Sequence, residues 1–224
     1  MNKISEEIFN TILFYQTHPY MKPYVGEKYE STSHSKLIIV GESHYLPETS
    51  IVHRNIDEWY KGICNLTEEE KEWCNTEHSR LYGYGKQFQQ TIESDLRECF
   101  HSDFKDVASF NYFLRPSNKG RSFKRICNIK DRLESAKNFK KLIEVLKPDL
   151  IAFASLFVFD CVAWKNDFPL VNNGENFEDF AKRKHIEYVK MNHPARGWWR
   201  RRVRGEDKTS QQLFIDFLKE KWIN

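Results

Sequence analysis

Short apolar runs that end at polar residues, separated by helical stretches, organise this chain. The runs are residues 37–40, 107–113, 150–154 and 185–191. An uninterrupted run such as 37–40 is typical of a strand that is buried on both faces of a parallel sheet. The spacing of apolar residues between the runs, clearest at 133–146, predicts helices. Strands that alternate with helices imply right-handed crossovers, so the sequence predicts an α/β fold with a parallel, helix-covered sheet.

The length of 224 residues predicts a single domain, 1–224, with a helical insertion at about 50–105. No run reaches the roughly 18 apolar residues of a membrane span, and the first residues lack the apolar stretch of a signal peptide. Five dispersed cysteines contain no C-x-x-C pair, which argues against a zinc ribbon or an iron–sulfur cluster. We therefore expect a monomeric cytoplasmic protein with free thiols, no cofactor and no membrane contact.

Polar residues accompany three of the predicted strands. Glu42 follows Gly41, Asn111 lies in the second strand, and His193 follows the fourth. Ligands of parallel α/β sheets bind beyond the carboxyl ends of the strands, so we expect these side chains to meet there. A buried Glu can activate water, an Asn amide matches the edge of a pyrimidine, and a neutral His can donate to a developing oxyanion. Each residue also has a purely structural interpretation, as a cap, a strand end or a histidine bound to a carbonyl.

A basic and aromatic segment follows His193. Its residues are Arg196, Trp198, Trp199, Arg200, Arg201, Arg202 and Arg204, with no acidic residue among them. Arginines neutralise phosphates and an exposed Trp stacks on a base, so the segment predicts nucleic-acid binding despite a net charge of only +3. Arg115, in a loop predicted at 114–120, is a further candidate for a phosphate contact. The alternative is a buried Trp pair flanked by solvated arginines.

The order of these motifs resembles that of the uracil-DNA glycosylase superfamily. Residues 37–44 resemble its first motif, an apolar strand that runs into Gly-Glu or Gly-Gln, and residues 110–116 resemble its central strand followed by Arg-Pro. Residues 146–152 resemble the next helix-to-strand junction, and residues 191–196 resemble the last motif with its histidine. The resemblance covers roughly residues 36–200 and consists of short motifs in a shared order.

This resemblance implies a three-layer αβα fold around a four-stranded parallel sheet. It also implies a monofunctional DNA glycosylase, a hydrolase of base-excision DNA repair that acts on an extruded nucleotide. By that analogy Glu42 activates water, Asn111 reads the base and His193 supports the departing base. Trp198, Trp199 and Arg200 would lie in the loop that fills or props the gap left in the DNA.

The first motif also predicts which residues line the pocket for the extruded base. Gly41, His44 and Tyr45 are expected to line it, and Ser43 stands where another branch of the superfamily has its catalytic Asp. Ser43-His44-Tyr45 replaces the small residue, Pro and Gly of the usual branch, so the target is left as uracil or another modified base. The motifs do not assign the aromatic side chain that stacks on the base, for which Trp59 is a candidate.

Two other classes of function fit the same residues. Glu42, His44 and Glu48 form a compact group that His193 can join, and Zn²⁺ or Mn²⁺ accept such ligands, which predicts a metal-dependent hydrolase. The second class is a non-catalytic nucleic-acid sensor on the glycosylase-like fold. It predicts salt-dependent binding without base release.

Overall fold

The computed structural model of the protein describes residues 6–81, 86–164, 167–194 and 197–223. Its strands are β1 (Tyr24–Val25), β2 (Leu37–Leu46), β3 (Ala108–Asn118), β4 (Leu150–Phe153) and β5 (Glu187–Lys190). They form one sheet in the order β1-β3-β2-β4-β5. The pairs β3–β2, β2–β4 and β4–β5 are parallel, whereas β1 is antiparallel to β3.

The α/β class and the parallel pairing of the four predicted strands are confirmed, but the sheet is mixed and five-stranded. The additional strand, β1, pairs Tyr24 and Val25 with Ser109 and Ala108. A strand of two residues is too short to show the alternation of apolar and polar residues, so the sequence pattern does not predict it. Its position depends on the long-range contact with β3.

Ten α-helices accompany these strands in the described part of the chain. They are α1 (Leu13–Thr17), α2 (Ile56–Lys61), α3 (Glu68–Trp73), α4 (Thr76–Leu81), α5 (Lys86–Phe100), α6 (Ile129–Leu146), α7 (Leu156–Phe159), α8 (Asp167–Val171), α9 (Phe177–Arg183) and α10 (Ser210–Lys221). Helices α2 to α5 occupy the stretch 50–105 that was predicted to be helical. None of the described helices is long and apolar enough to cross a membrane.

Apolar side chains cover both faces of the sheet because neighbouring residues of a strand point to opposite faces. Ile38 and Val40 of β2 pack in a cluster with α6, α8 and α9. Leu37 and Ile39 pack in a second cluster with α5 and α10. This double burial explains the uninterrupted apolar run at 37–40. All five cysteines lie in the described part, and none forms a disulfide there.

β2 and β3 are longer than predicted and extend beyond their neighbours. The last parallel pair between β2 and β4 is Val40 with Phe153, whereas β2 and β3 stay paired up to Leu46 and Asn118, with an irregularity between Ser43 and Tyr45. The strand predicted at 37–40 therefore continues through Gly41, and residues 114–118 of the loop predicted at 114–120 belong to β3 instead. Gly41 lies inside a strand, at the point where the sheet narrows from four parallel strands to two.

Candidate active site

Gly41 leaves space for the amide of Asn111 on the neighbouring strand. The two residues pair across β2 and β3, and a Cβ built on Gly41 would lie only 2.2 Å from Asn111 Oδ1. Any other residue at position 41 would therefore push this amide away. The glycine matters here for its missing side chain, and not for a turn.

A buried arginine fixes the orientation of that amide. Arg80, at the end of α4, donates from Nη2 to Asn111 Oδ1 at 3.3 Å and from Nε to Ser109 Oγ at 2.8 Å. Because a guanidinium only donates, the atom of Asn111 that faces it is the carbonyl oxygen. Nδ2 of Asn111 then points away and makes no hydrogen bond within the described residues. The amide keeps the two N–H donors of Nδ2 and one acceptor lone pair of Oδ1 for a ligand.

An aromatic ring connects this amide to His193. The ring of Phe88, on α5, lies 3.5 Å from a Cβ built on Gly41 and 4.6 Å below the Arg80 guanidinium. Its centroid lies 5.8 Å from that of the half-buried imidazole of His193. Phe88 therefore lies near the strand position that faces Asn111 and also near His193, two of the predicted site residues.

Glu42 belongs to the same edge of the sheet but to its other face. Its carboxylate accepts a hydrogen bond of 2.7 Å from Ser155 Oγ, at the start of α7, and also one from the backbone N–H of Phe123. Burial raises the pKa of Glu42, and the hydrogen bonds from Ser155 and Phe123 and the charge of Lys124 oppose that rise. A carboxylate with a raised pKa and a remaining accessible edge is suited to take a proton from water.

The next three residues of the first motif do not form an open pocket. Ser43 is buried, and its Oγ has no hydrogen-bond partner among the residues that the structure describes. His44 is buried beneath α4 with Nε2 3.1 Å from Thr76 Oγ1, and burial together with the charge of Arg80 lowers its pKa to about 3. The prediction that His44 lines the base pocket is not supported, because its ring is enclosed. Tyr45 is half-buried.

Arg115 is a structural residue, and its prediction as a phosphate contact is wrong. Its guanidinium, 3% exposed, makes two hydrogen bonds to the Asp131 carboxylate at 2.7 and 2.6 Å. Two further hydrogen bonds reach the carbonyls of His53 and Ile126. The segment that was predicted as a loop is part of β3, so this arginine points into the interior. Four of its five N–H donors are engaged inside the protein, and the buried guanidinium cannot reach a DNA phosphate.

The basic and aromatic segment divides into a buried half and an exposed half. Trp199 is buried, donates from Nε1 to Asp95 at 2.6 Å and packs edge-on against Phe214. It is not available to stack on a base, which corrects that prediction. Trp198 is 48% exposed, and Arg201 lies 4.3 Å above its ring. Arg196 lies outside the described residues.

The remaining arginines of the segment face solvent. They are Arg200, Arg201 and Arg202, and no acidic side chain of the described part lies within 4.0 Å of them. Arg204, by contrast, pairs with Asp160. The amide of Asn192 supports the segment from below through the carbonyls of Trp198, Arg201 and Arg202. The free cations therefore sit on an ordered turn beside His193.

The ligand set that was predicted for a metal-dependent hydrolase is not assembled. Glu42 and His44 are engaged with Ser155 and Thr76, and Glu48 is exposed. No group of three His, Cys, Asp or Glu side chains in the described ranges is arranged to hold a metal ion. These positions do not support the metal-dependent alternative.

The sequence did not identify Arg80 as a site residue, and it did not assign the aromatic side chain that stacks on the base. Phe88 was visible only as one member of an apolar helical stripe, and nothing in the local sequence distinguishes Arg80 from other helix-terminal arginines. Trp59, the earlier candidate, is fully buried and donates from Nε1 to the Leu114 carbonyl. It is a core residue.

No protein-family model matches the chain, and no curated protein matches it in sequence.

Proposed function

We propose that this protein is a DNA glycosylase that hydrolyses the N-glycosidic bond of uracil or another modified base in an extruded nucleotide. The observation that carries the proposal is the amide of Asn111, which Arg80 orients beside Gly41. Phe88 lies close to Gly41 and also contacts the ring of His193. An amide with free N–H donors and one free acceptor lone pair matches the N–H and C=O edge of a pyrimidine. The proposal takes the sheet and its flanking helices as the three-layer αβα fold of the uracil-DNA glycosylase superfamily.

The separation of Glu42 and Asn111 onto two faces of β2 suits hydrolysis. In a displacement at the sugar carbon, water approaches from the side opposite to the departing base. The sugar would lie at the edge of β2 beyond its last pair with β4, Val40 with Phe153, and Asn111 would hold the base on one face. Water then lies on the face of Glu42, whose carboxylate accepts its proton. His193 donates to an oxygen of the base.

The exposed half of the basic segment supplies the DNA contact in this proposal. Among the described residues, Arg200, Arg201 and Arg202 are the exposed cations without an ion pair that lie nearest to His193 in sequence. In this proposal they bind phosphates, while Trp198 enters the duplex beside the extruded nucleotide. Extrusion is needed because the glycosidic bond is inaccessible in a stacked duplex.

The test uses the purified full chain and oligonucleotides that carry uracil, hypoxanthine or a modified cytosine. Base release is read as strand cleavage at abasic sites after alkali treatment. Glu42→Gln is expected to slow release by about a hundredfold or more, since general base catalysis contributes on that order. Glu48→Gln, an exposed carboxylate on the same segment, is the matched control and keeps the wild-type rate. Salt-dependent binding without release from any substrate would overturn catalysis and favour a sensor.

A further inference from the structure

Arg80 is a buried cation without a counter-charge. Its side chain is 3% exposed, and its two hydrogen-bond acceptors, Ser109 Oγ and Asn111 Oδ1, are uncharged. No acidic side chain in the described ranges lies within 4.0 Å of it. Nη1 makes no hydrogen bond there either. One end of this guanidinium is therefore free to act on a ligand.

Such a charge is costly to the fold unless something compensates it. Taking a cation out of water is repaid by an ion pair or by a full set of hydrogen bonds, and Arg80 has neither. Phe88 compensates in part through its ring face. Burial lowers the pKa of Arg80 to about 10, which keeps the side chain charged at neutral pH. His44, the titratable group beside it, is neutral there.

Arg115 shows how the same fold satisfies a buried arginine that is purely structural. It is equally buried at 3% exposure, but Asp131 neutralises it with two hydrogen bonds and two carbonyls accept from it. The contrast implies that the partner of Arg80 arrives from outside the chain. That partner binds next to the amide of Asn111, where the guanidinium already points.

We propose that Arg80 and Asn111 form an anion site that binds a nucleobase in its deprotonated, imide-type form. The ligand class is a ring with an acidic N–H between or beside carbonyl groups. This inference rests on the proposed glycosylase function and adds to it the rule by which bases are selected. Bases that carry a negative charge easily are preferred over amino-substituted bases that do not.

The charge balance of the reaction explains why such a site helps. The bond from the sugar carbon to the base nitrogen breaks, and its electron pair stays on the base, which becomes an anion. The water oxygen bonds to the sugar carbon, and its proton passes to Glu42. A negative charge thus moves from the carboxylate to the base, towards Arg80. Donation by Arg80 into Oδ1 also polarises the amide, which makes Asn111 Nδ2 a stronger donor.

The test measures equilibrium binding of free bases of graded acidity to the full chain at neutral pH. Thymine, uracil and 5-fluorouracil form the series, and calorimetry gives the dissociation constants. Wild-type affinity is expected to rise along the series. In Arg80→Met the series is flat, and the affinity for 5-fluorouracil falls by about tenfold to a hundredfold, the usual range for losing a charged donor. Arg80→Lys keeps the positive charge, so part of the rise in affinity from thymine to 5-fluorouracil is retained.

Thermal melting separates this role from a structural one. Arg80→Met is expected to melt no lower than the wild type, because it removes an uncompensated buried charge. Arg115→Met, the matched control, melts lower because it orphans Asp131. A wild-type affinity that is independent of base acidity would overturn the anion site. So would an Arg80→Met variant that melts lower and loses all three bases equally. Failure of the glycosylase proposal shows up separately, as no base release from oligonucleotides.

Discussion

Three arginines of this chain illustrate how one residue type takes three roles. Arg115 is buried and neutralised by Asp131, whereas Arg80 is buried with no acidic side chain within 4.0 Å in the described part of the chain. Arg200 is exposed on the turn that follows β5. The difference lies in what surrounds each guanidinium and not in its immediate sequence. Asn111 is the residue on which the candidate site depends, because Arg80 and Gly41 together set the direction of its amide.

Gly41→Ala tests whether the position of this amide matters. The new Cβ would meet Asn111 Oδ1 at 2.2 Å, so the amide must rotate away from Arg80. We expect base release to fall by about tenfold or more, the cost of one misplaced hydrogen-bonding group. The assay is single-turnover release from the preferred oligonucleotide. The same substitution in an Asn111→Ala background is the control and is expected to add little. Additive losses would mean that Gly41 acts through something other than Asn111.

Helix α5 is the element that joins the candidate site to the basic segment. Phe88, Thr91 and Asp95 lie on one face at successive turns and contact His193, the carbonyl of Pro194 and Trp199. Asp95 also accepts from Gln211 on α10, and burial raises its pKa. The inserted helices therefore do more than cover the sheet, since α5 holds the chain that follows β5.

Trp199→Phe tests this anchoring. The change keeps the aromatic packing and removes the indole N–H, so the buried Asp95 carboxylate loses one of its two donors. We expect the free energy of unfolding to fall by about 1–3 kcal/mol, the cost of leaving a buried acceptor unsatisfied. Urea denaturation measures it, and Trp198→Phe at the exposed neighbour leaves it unchanged. An equal loss from both variants would contradict a specific anchor at Trp199.

At the scale of the whole molecule, one cluster of exposed positive charge lies on the turn that follows β5. Arg200, Arg201 and Arg202 are exposed on the turn that Asn192 supports, whereas Lys208 and Arg204 are tied to Asp216 and Asp160. A net charge of +3 therefore understates the local field.

Replacing Arg200, Arg201 and Arg202 by Gln tests whether this field binds DNA. Each phosphate contact releases about one counterion, so the slope of log affinity against log salt is expected to become shallower by about 2–3. Fluorescence anisotropy with labelled duplex measures it. Gln at Lys28, Lys61 and Lys184, three exposed cations elsewhere, is the matched control and leaves the slope nearly unchanged. A steep wild-type slope that the arginine variant retains would place the DNA on another surface.

Stability at mildly acidic pH is a second property of the whole chain. Burial lowers the pKa of His18 and His53 to about 4 and that of His44 to about 3, from an ordinary value of 6.5. Below pH 6.5 these histidines are protonated in the unfolded chain but stay neutral in the folded chain. Their contribution to the free energy of unfolding is therefore complete above pH 6.5 and is lost as the pH falls. We expect a loss of about 1 kcal/mol per buried histidine or more.

Urea denaturation at neutral and mildly acidic pH measures this loss. His53→Asn is expected to reduce the pH dependence, and His185→Asn at an exposed histidine leaves it unchanged. Stability that stays constant through this range would mean that the histidines are solvated in the folded state.

Local periodicity and local composition were sufficient to predict strands at 37–40, 107–113 and 150–154 and the helices of the insertion, although they ended the first two strands too early. They also placed Glu42, Asn111 and His193 on the same side of the sheet, where β4 and β5 end. The reason is that strand and helix patterns repeat over a few residues, and neighbouring parallel strands end on the same side. Long-range contacts alone placed Arg115 and Trp199 in the interior, put Glu42 and Asn111 on opposite faces, and brought Arg80 to the amide of Asn111. Arg115 contacts Asp131, 16 positions away in the chain, and Arg80 contacts Asn111, 31 positions away. Trp199 contacts Asp95, 104 positions away. The residues that flank each arginine or tryptophan in the sequence do not reveal these contacts.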